Sequence, residues 1–251
     1  MLQYRETPPP EMPTWTMRPF MFNVCPSCGD YRDAKIVADH SIICPVCGAT
    51  APGPRSPLFI LSGASGTGKT TACHTLLARG IDAVVLDSDV LWSAEFHARS
   101  QWPRYFNLWL RLCKSISLSG RPVLLGGAGF GVPDNLVRCV EYRYFSRVHI
   151  LALVCDDLQL AQRLNQRPAW RSSADPAVID DHLRFNRWFR RQALHTAPDG
   201  YPLLCTLDTT DLTPDAVADA VTHWMSCLVH VNPAHTDVRA VRAGHSWEET
   251  P

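Results

Sequence analysis

One segment carries the clearest structural signal in this chain, and it reads Leu58-Phe59-Ile60-Leu61-Ser62-Gly63-Ala64-Ser65-Gly66-Thr67-Gly68-Lys69-Thr70. Its apolar start predicts a buried strand, and a helix-compatible run continues after it as far as Arg79. Between them, the octet that begins at Gly63 matches the pattern G-x-x-x-x-G-K-[ST] at every position. Glycines let such a loop wrap so that its N–H groups point at phosphate oxygens, and the helix adds its positive end. The segment therefore predicts a phosphate-binding loop.

This loop predicts specific contacts with a nucleoside triphosphate. Lys69 is expected to reach the β- and γ-phosphates, and the hydroxyl of Thr70 is expected to ligate Mg²⁺. The alternative is a chance glycine-rich turn, which the preceding strand and the following helix disfavour. The residues predicted to surround the nucleotide are Gly63, Ser65, Gly66, Thr67, Gly68, Lys69, Thr70 and Thr71.

Beyond the loop, short apolar runs alternate with longer amphipathic segments, which is typical of βαβ units on a parallel sheet. Two later helices have clear beginnings, because Asp175 and Thr213 each precede a proline at the first helical position. The prediction is an α/β fold with a five-stranded parallel sheet between helices. The strands are expected at 58–61, 83–87, 122–126, 148–155 and 203–207.

The acidic residues narrow the class of phosphate-loop protein. A motor ATPase normally ends an apolar strand in an acidic pair, but the strand at 122–126 runs into Gly126-Gly127-Ala128-Gly129. No Asn-Lys-x-Asp guanine signature is present in the sequence. The carboxylates follow the second strand instead, in Leu86-Asp87-Ser88-Asp89. This arrangement favours a kinase over a motor or a GTPase switch.

With these features the chain resembles the small-molecule P-loop kinases, especially the shikimate kinase and gluconate kinase groups, from about Leu58 to Val229. The resemblance rests on the phosphate loop, the Asp-x-Asp, the glycine cluster and the arginine-bearing segment 163–168, which corresponds to a mobile lid. The chain is also similar to actinobacterial proteins catalogued as nucleoside kinases or AAA-family ATPases. The resemblance implies a P-loop kinase fold, ATP and Mg²⁺ as cofactors, and a small-molecule phosphoryl acceptor.

Chemistry assigns roles to the residues that carry the resemblance. Asp87 suits Mg²⁺ binding through water, and Asp89 suits orienting or deprotonating the acceptor hydroxyl, although one of the two could merely cap the next helix. Arg163 and Arg167 are expected to clamp ATP phosphates, the alternative being a solvated helix face. By position in related kinases, Asp208 is expected to border the adenine.

In related kinases the acceptor site forms from the segment between the second and third strands, here Val90 to Gly120. Its aromatic side chains could stack on a base or a sugar, and its arginines could bind an anionic group. Helical spacing of several of these aromatics favours core packing as the alternative. The glycines between Gly126 and Gly131 are expected to allow a ligand to approach the backbone closely.

Two matching knuckles stand near the start of the chain, Cys25-Pro26-Ser27-Cys28-Gly29 and Cys44-Pro45-Val46-Cys47-Gly48. Four thiolates at this spacing predict a closed tetrahedral site for a structural Zn²⁺, and hence a zinc ribbon. A redox role for the cysteine pairs is the alternative, disfavoured because such motifs usually occur singly. Nucleic-acid contact through the ribbon is also disfavoured, since its charges balance.

Composition limits the remaining function classes. The 251 residues carry a formal net charge of zero, which argues against a broad nucleic-acid surface. No apolar run is long enough to predict a membrane span, and no secretory signal is recognisable. A reducing cytoplasm fits the paired cysteines. The predicted organisation is an extended arm (1–19), a zinc ribbon (20–50), a linker (51–57), a kinase domain (58–230) and a flexible tail (231–251).

The leading hypothesis from sequence is an ATP-dependent kinase for a small hydroxylated or phosphorylated metabolite, with a nucleoside or nucleotide favoured over a sugar acid. One alternative is a polynucleotide 5′-hydroxyl kinase whose ribbon grips the strand. Another is a non-catalytic ATP-sensing adaptor whose ribbon recruits a protein partner.

Overall fold

The computed structural model describes residues 24–31, 35–38, 41–53, 56–168, 175–194, 198 and 200–229. The strands are β1 (Ile36–Ala38), β2 (Ser41–Ile43), β3 (Thr50–Pro52), β4 (Leu58–Gly63), β5 (Val84–Asp87), β6 (Val123–Gly126), β7 (Val148–Val154) and β8 (Leu203–Asp208). The α-helices are α1 (Lys69–Arg79), α2 (Trp102–Ser117), α3 (Pro133–Val137), α4 (Asp157–Asn165), α5 (Pro176–Gln192) and α6 (Pro214–Val229).

Five strands form the central sheet in the spatial order β5-β6-β4-β7-β8, and every neighbouring pair is parallel. All residues of the three inner strands β4, β6 and β7 are buried, as expected for strands covered on both faces. The predicted five-stranded parallel sheet is therefore confirmed. After β4, the chain first adds β5 and β6 on one side of β4 and then crosses to add β7 and β8 on the other side. At this change of direction, the carboxyl ends of the strands border a crevice beside β4.

Helices cover both faces of this sheet. On one face, α1 and α6 bury Phe59, Leu61 and Leu124 of the sheet. On the other, the apolar side of α2 packs on Ile60 and Leu125. The two predicted caps are confirmed: the side chains of Asp175 and Thr213 accept hydrogen bonds from N–H groups in the first turns of α5 and α6. Within the described ranges, no helix is both long and apolar enough to cross a membrane.

A small cysteine module, residues 24–53, precedes the sheet. Its strands β1, β2 and β3 pair antiparallel in that order. Strand β3 lies at Thr50–Pro52, so the first two residues of the predicted linker (51–57) belong to a strand that pairs with β2. Pro52 is tolerated because β3 is an edge strand, where a missing N–H donor breaks no ladder bond on its open side.

The cysteine module packs directly on the part of the chain that forms the central sheet. The ring of Tyr144, only 7% exposed, packs into a cluster with Cys25, Ile42, Cys44 and Ala51. The ammonium group of Lys114 from α2 also lies over that ring, 4.3 Å from its centroid. A tyrosine therefore joins the small module to the α2 side of the sheet.

Candidate phosphate and acceptor site

The phosphate loop connects β4 to α1 and is closed by three glycines at positive φ: Gly63 at 134°, Gly66 at 92° and Gly68 at 101°. A Cβ atom on Gly63 would lie 2.2 Å from the carbonyl oxygen of Leu153, so only glycine fits there. The hydroxyl of Thr67 donates a hydrogen bond to the carbonyl of Ala64 at 2.9 Å, which closes the turn from inside. Glycine conformations and an internal hydrogen bond thus shape the loop.

The side chain of Lys69 folds back over this loop. Its ammonium group donates to the carbonyl oxygens of Gly63 at 2.8 Å and of Ala64 at 2.9 Å. The pKa of Lys69 is lowered to about 8, chiefly by burial of the ammonium group and also by the positive charge of Arg167, while Asp89 and Asp87 act in the opposite direction. Both carboxylates therefore lie within electrostatic range of the lysine.

The other predicted loop residues divide by exposure. Ser65, Gly66 and Gly68 are half-buried at the mouth of the loop, whereas Thr70 and Thr71 at the start of α1 are exposed. An exposed hydroxyl at Thr70 is accessible to a cation that accompanies a bound nucleotide.

The Asp-x-Asp follows β5 and forms a single 3₁₀ turn over Ser88–Leu91. The carboxylate of Asp87 accepts a hydrogen bond from the N–H of Asp89 at 3.0 Å, so Asp87 caps this turn. This contact uses one oxygen atom and orients the turn. Asp89 itself is exposed at the carboxyl edge of the sheet.

A buried tyrosine that the sequence did not single out as a site residue fixes this turn. The hydroxyl of Tyr105, in α2, donates to the carbonyl oxygen of Ser88 at 2.5 Å, between the two aspartates. Burial raises the pKa of Tyr105, so the phenol stays protonated and able to donate. The ring packs on Phe106 and Phe130, which hold it against the sheet. Tyr105 is therefore a positioning residue for both carboxylates.

The glycine cluster after β6 serves internal packing, and the expectation that it brings a ligand close to the backbone was wrong at three of its positions. A Cβ atom would lie 2.7 Å from the sulfur of Cys73 if placed on Gly126, and 2.4 Å from the hydroxyl oxygen of Ser88 if placed on Gly127. On Gly131 it would lie 2.2 Å from the hydroxyl oxygen of Ser62. The glycines let β6 and the following turn nest against their neighbours.

The side chain of Arg163, which was predicted to clamp ATP phosphates, makes hydrogen bonds to backbone carbonyl groups. Its guanidinium donates to the carbonyl oxygens of Thr209 at 3.0 Å and Thr210 at 3.2 Å, in the loop after β8. The hydroxyl of Thr209 in turn lies 3.2 Å from the carbonyl oxygen of Thr67 in the phosphate loop. Arg163 therefore braces the loop after β8 against the phosphate loop.

Arg167 lies two residues beyond the end of α4 and is half-buried. Its charge acts on Lys69, as described above, and also on His182 of α5. Arg171, which continues the four-residue spacing of Arg163 and Arg167 in the sequence, lies outside the described residues.

His182 is a further residue of this site that the sequence did not reveal. Burial, and after it the positive charges of Lys69 and Arg167, lower the pKa of His182. Its neighbour Leu183 packs in a cluster with Ala64 of the phosphate loop, which brings α5 against the loop. No sequence motif marks this histidine, because the contact joins segments more than a hundred residues apart in the chain.

Asp208, the predicted neighbour of the adenine, ends β8 and is exposed. One carboxylate oxygen accepts from the N–H and the hydroxyl of Thr210, and the other accepts from the guanidinium of Arg190 at 3.0 Å. It shapes the loop that Arg163 braces.

The aromatic residues between β5 and β6 lie mostly in the core. Phe96, Phe106 and Trp109 are buried, so the core-packing alternative is correct for them. Trp102 is half-buried, and its indole N–H donates to the carbonyl oxygen of Phe96 at 3.1 Å. Trp92 differs, because 43% of its surface is exposed beside the Asp-x-Asp turn.

The four predicted metal ligands Cys25, Cys28, Cys44 and Cys47 come together, with their sulfur atoms all within 4.8 Å of one another. The distances Cys25–Cys47 and Cys28–Cys44 are 3.7 and 3.8 Å between sulfur atoms. A tetrahedral site with metal–sulfur bonds of about 2.3 Å requires sulfur separations of about 3.8 Å. The residues therefore fit a zinc ion.

The two knuckles have the same backbone pattern. The N–H of Gly29 donates to the carbonyl of Cys25 at 2.9 Å, and that of Gly48 to the carbonyl of Cys44 at 3.0 Å. The two glycines have φ values of 73° and 71°. Such turns place each cysteine pair on one side, as the repeated sequence predicts.

Comparison with known proteins agrees with this geometry at the level of the fold. A sugar kinase from a Janibacter species superposes with a TM-score of 0.50 at 16% identity, covering 69% of this chain and 95% of that one. A gluconokinase from Sinorhizobium meliloti gives 0.49 at 15% identity (77% and 99% covered), and a shikimate kinase from Acinetobacter baumannii gives 0.43 at 17% (71% and 97% covered).

No protein-family model matches the chain, and no curated protein matches it in sequence. The assignment therefore concerns architecture: the molecule has the P-loop kinase fold, a five-stranded parallel sheet between helices, with a four-cysteine cluster on its N-terminal side.

Proposed function

We propose that this protein is an ATP-dependent phosphotransferase that moves the γ-phosphoryl group of Mg-ATP to a small hydroxylated or phosphorylated metabolite, with a nucleoside or nucleotide favoured. The observation that carries the proposal is that Asp87 and Asp89, at the end of β5, lie at the same edge of the sheet as the phosphate loop and Lys69, because β4 and β5 both pair with Gly126 of β6 at that end. Phosphoryl transfer needs positioning and charge neutralisation at this place, together with a carboxylate for the acceptor hydroxyl.

In the proposed reaction, the loop N–H groups and Lys69 bind the β- and γ-phosphates. Thr70 and Asp87 would hold Mg²⁺, whose positive charge would offset the negative charge of the phosphates. Asp89 receives the proton of the acceptor hydroxyl while the oxygen atom of that hydroxyl bonds to the γ-phosphorus. The bond from that phosphorus to the bridging oxygen breaks, and ADP leaves.

Residues around the loops are given supporting roles in this proposal. Arg167 supplies positive charge beside Lys69, on the side of the γ-phosphoryl group. Arg163 supports the nucleotide from the loop after β8, where its contacts to Thr209 and Thr210 also set the position of Asp208.

The cysteine module is proposed to hold a structural Zn²⁺. Four thiolates leave no open position for chemistry, so the ion would stabilise the module without acting on a substrate. The fit of the sulfur separations to a tetrahedral site supports this assignment.

The test is ADP formation from Mg-ATP against a panel of nucleosides, nucleotides, sugar acids and short oligonucleotides. Asp89→Asn should reduce acceptor-dependent turnover by about 10²- to 10⁴-fold, the usual contribution of a general base, while ATP still binds. Asp82→Asn is the matched control, because this exposed carboxylate lies at the other end of β5. Lys69→Ala should weaken ATP binding as well as transfer.

Two outcomes would reject the proposal in favour of the alternatives. ATP binding without acceptor-dependent ADP formation would indicate an adaptor. Transfer confined to oligonucleotides, with strongly salt-dependent binding, would indicate a polynucleotide kinase.

A further inference from the structure

The 3₁₀ turn after β5 places an aromatic side chain directly beside the proposed acceptor base. The N–H of Trp92 donates to the carbonyl oxygen of Asp89 at 3.0 Å, which closes the turn. In a 3₁₀ turn, residues i and i+3 lie above one another on the same edge. Trp92 and Asp89 therefore share one edge, whereas Val90 is directed elsewhere around the turn.

The ring of Trp92 packs on neighbouring aromatic rings and is partly exposed to solvent. It meets the ring of Tyr105 edge-on, with centroids 5.2 Å apart and an interplanar angle of 89°. It also contacts the ring of Phe96, at 6.4 Å between centroids, and the ring of the exposed His97, at 5.9 Å with an interplanar angle of 31°. Tyr105 and Phe96 are buried, yet 43% of Trp92 is exposed. A large ring held in place with an accessible surface is a platform on which a planar group can stack.

The same Tyr105 that supports the tryptophan ring also holds the Asp-x-Asp turn through Ser88. Movement of the carboxylate relative to the ring is therefore restricted by one buried side chain. Tyr105 would therefore fix the distance between a ring stacked on Trp92 and a hydroxyl presented to Asp89.

The negative charge of Asp89 disfavours an acceptor that would place its own carboxylate beside it. Of the arginines that precede or lie on α2, Arg104 is exposed in the first turn of the helix, and Arg99 lies over the ring of Trp102, 5.6 Å from its centroid. Arg111 pairs with the buried carboxylate of Glu141 at 3.0 Å. Asp89 adds a negative charge that would repel a neighbouring carboxylate. An uncharged acceptor avoids this repulsion.

From this juxtaposition, and resting on the proposed phosphotransferase function, we infer that Trp92 is the specificity-determining contact for the acceptor. The acceptor is an uncharged hydroxyl compound that carries a planar ring, such as a nucleoside, with the ring stacked on Trp92 and the hydroxyl at Asp89. A sugar acid, which lacks the ring and carries a carboxylate, matches neither group.

The experiment compares adenosine, cytidine, thymidine and guanosine with gluconate and shikimate as acceptors, using full-length protein and Mg-ATP. The nucleoside that is phosphorylated should show a KM about tenfold or more higher in Trp92→Ala, with kcat changed much less, because stacking acts on binding. Trp92→Phe should restore most of the affinity. The KM for ATP should stay unchanged in both variants.

Val90→Ala is the matched control, since Val90 is 78% exposed on the same turn but is directed away from the Asp89 edge. Its acceptor KM should equal that of the wild type. Preferred transfer to gluconate or shikimate, or an acceptor KM that Trp92→Ala leaves unchanged, would overturn the stacking inference while leaving a kinase. ATP binding without transfer to any acceptor would instead refute the proposed function itself, and the stacking inference with it.

Discussion

The phosphate loop and the cysteine module use the same local device but differ in what supports it. Gly68 in the loop and Gly29 in the first knuckle both have positive φ, at 101° and 73°, and neither would meet another atom if it carried a Cβ. Each glycine is thus required for backbone conformation alone. Identical local chemistry therefore closes both turns.

What lies behind the turns is different. The loop extends from β4, whose residues are all buried, and its Ala64 packs on Leu160 and Leu164 of α4. The module has a core of a few side chains, which includes two of the cysteines and borrows Tyr144 from the following part of the chain. Segments this small usually need a metal or disulfides to fold. A motif can therefore specify a turn in either region. Only in the phosphate loop, however, does burial against the sheet keep that turn folded.

The largest effect that would sharpen this comparison is expected at Gly63. Gly63→Ala places a methyl group 2.2 Å from the carbonyl oxygen of Leu153, a backbone atom of β7 that cannot move without disturbing the sheet. We expect ATP affinity to fall at least a hundredfold, measured by calorimetric titration. Gly80→Ala is the control, because Gly80 also has a positive φ, at 61°, but lies at the end of α1, outside the phosphate loop. A Cβ atom there meets open space and carries only the backbone penalty of about 1–2 kcal/mol. Equal losses in both variants would show that sheet contact does not determine the loop.

Metal removal tests the other side of the comparison. We expect one Zn²⁺ per chain by elemental analysis, and a chelator should unfold residues 24–53 while the parallel sheet stays folded. Proteolysis within the module and a lower midpoint of thermal unfolding would report the change. The midpoint should fall because Tyr144 loses its cover.

Tyr144→Ala separates the two contributions to that midpoint. It should destabilise the chain by about 3 kcal/mol, as for other large buried aromatics. In this variant, adding a chelator should lower the midpoint of thermal unfolding less than it does in the wild type. Collapse of the sheet on zinc removal, or a chain that holds no zinc, would contradict the division into a metal-dependent and a metal-independent region.

A smaller effect is expected from pH. Because the pKa of Lys69 is lowered to about 8 in the free protein, the side chain loses its charge as pH rises through that value. Bound phosphate favours the charged form, so ATP affinity should fall as pH rises above about 8, by up to tenfold per pH unit. Titrations between pH 7 and 9.5 in buffers of different ionisation enthalpy would also detect the proton taken up on binding. Lys69→Arg, which stays charged, should remove this dependence, and an unchanged slope would contradict the assignment.

Much of the architecture followed from local sequence. The phosphate loop, the five strands and the knuckle turns were predictable because each depends on a short run whose glycines, apolar residues or caps act on their own neighbours. The capping of α5 by Asp175 belongs to the same class. The strand at Thr50–Pro52 was missed because Pro52, Pro54 and Pro57 favour an irregular segment, whereas the strand forms by pairing with β2, the preceding strand of the module.

The candidate site was only partly predictable for the same reason. Sequence identified Lys69, Asp87 and Asp89, since a motif or a strand end marks each of them. It could not show that Arg163 bonds to the loop after β8, nor that His182 lies in the field of Lys69.

The sequence by itself determined the turns, the strands of the parallel sheet and the identity of the charged groups, because these depend on residues within a few positions of one another. The tertiary structure alone decided which aromatic ring is exposed beside Asp89 and which tyrosine holds that carboxylate in place. Those contacts join β5, α2 and the loop after β6. Side-chain burial depends on how distant segments pack, and no local pattern contains that information.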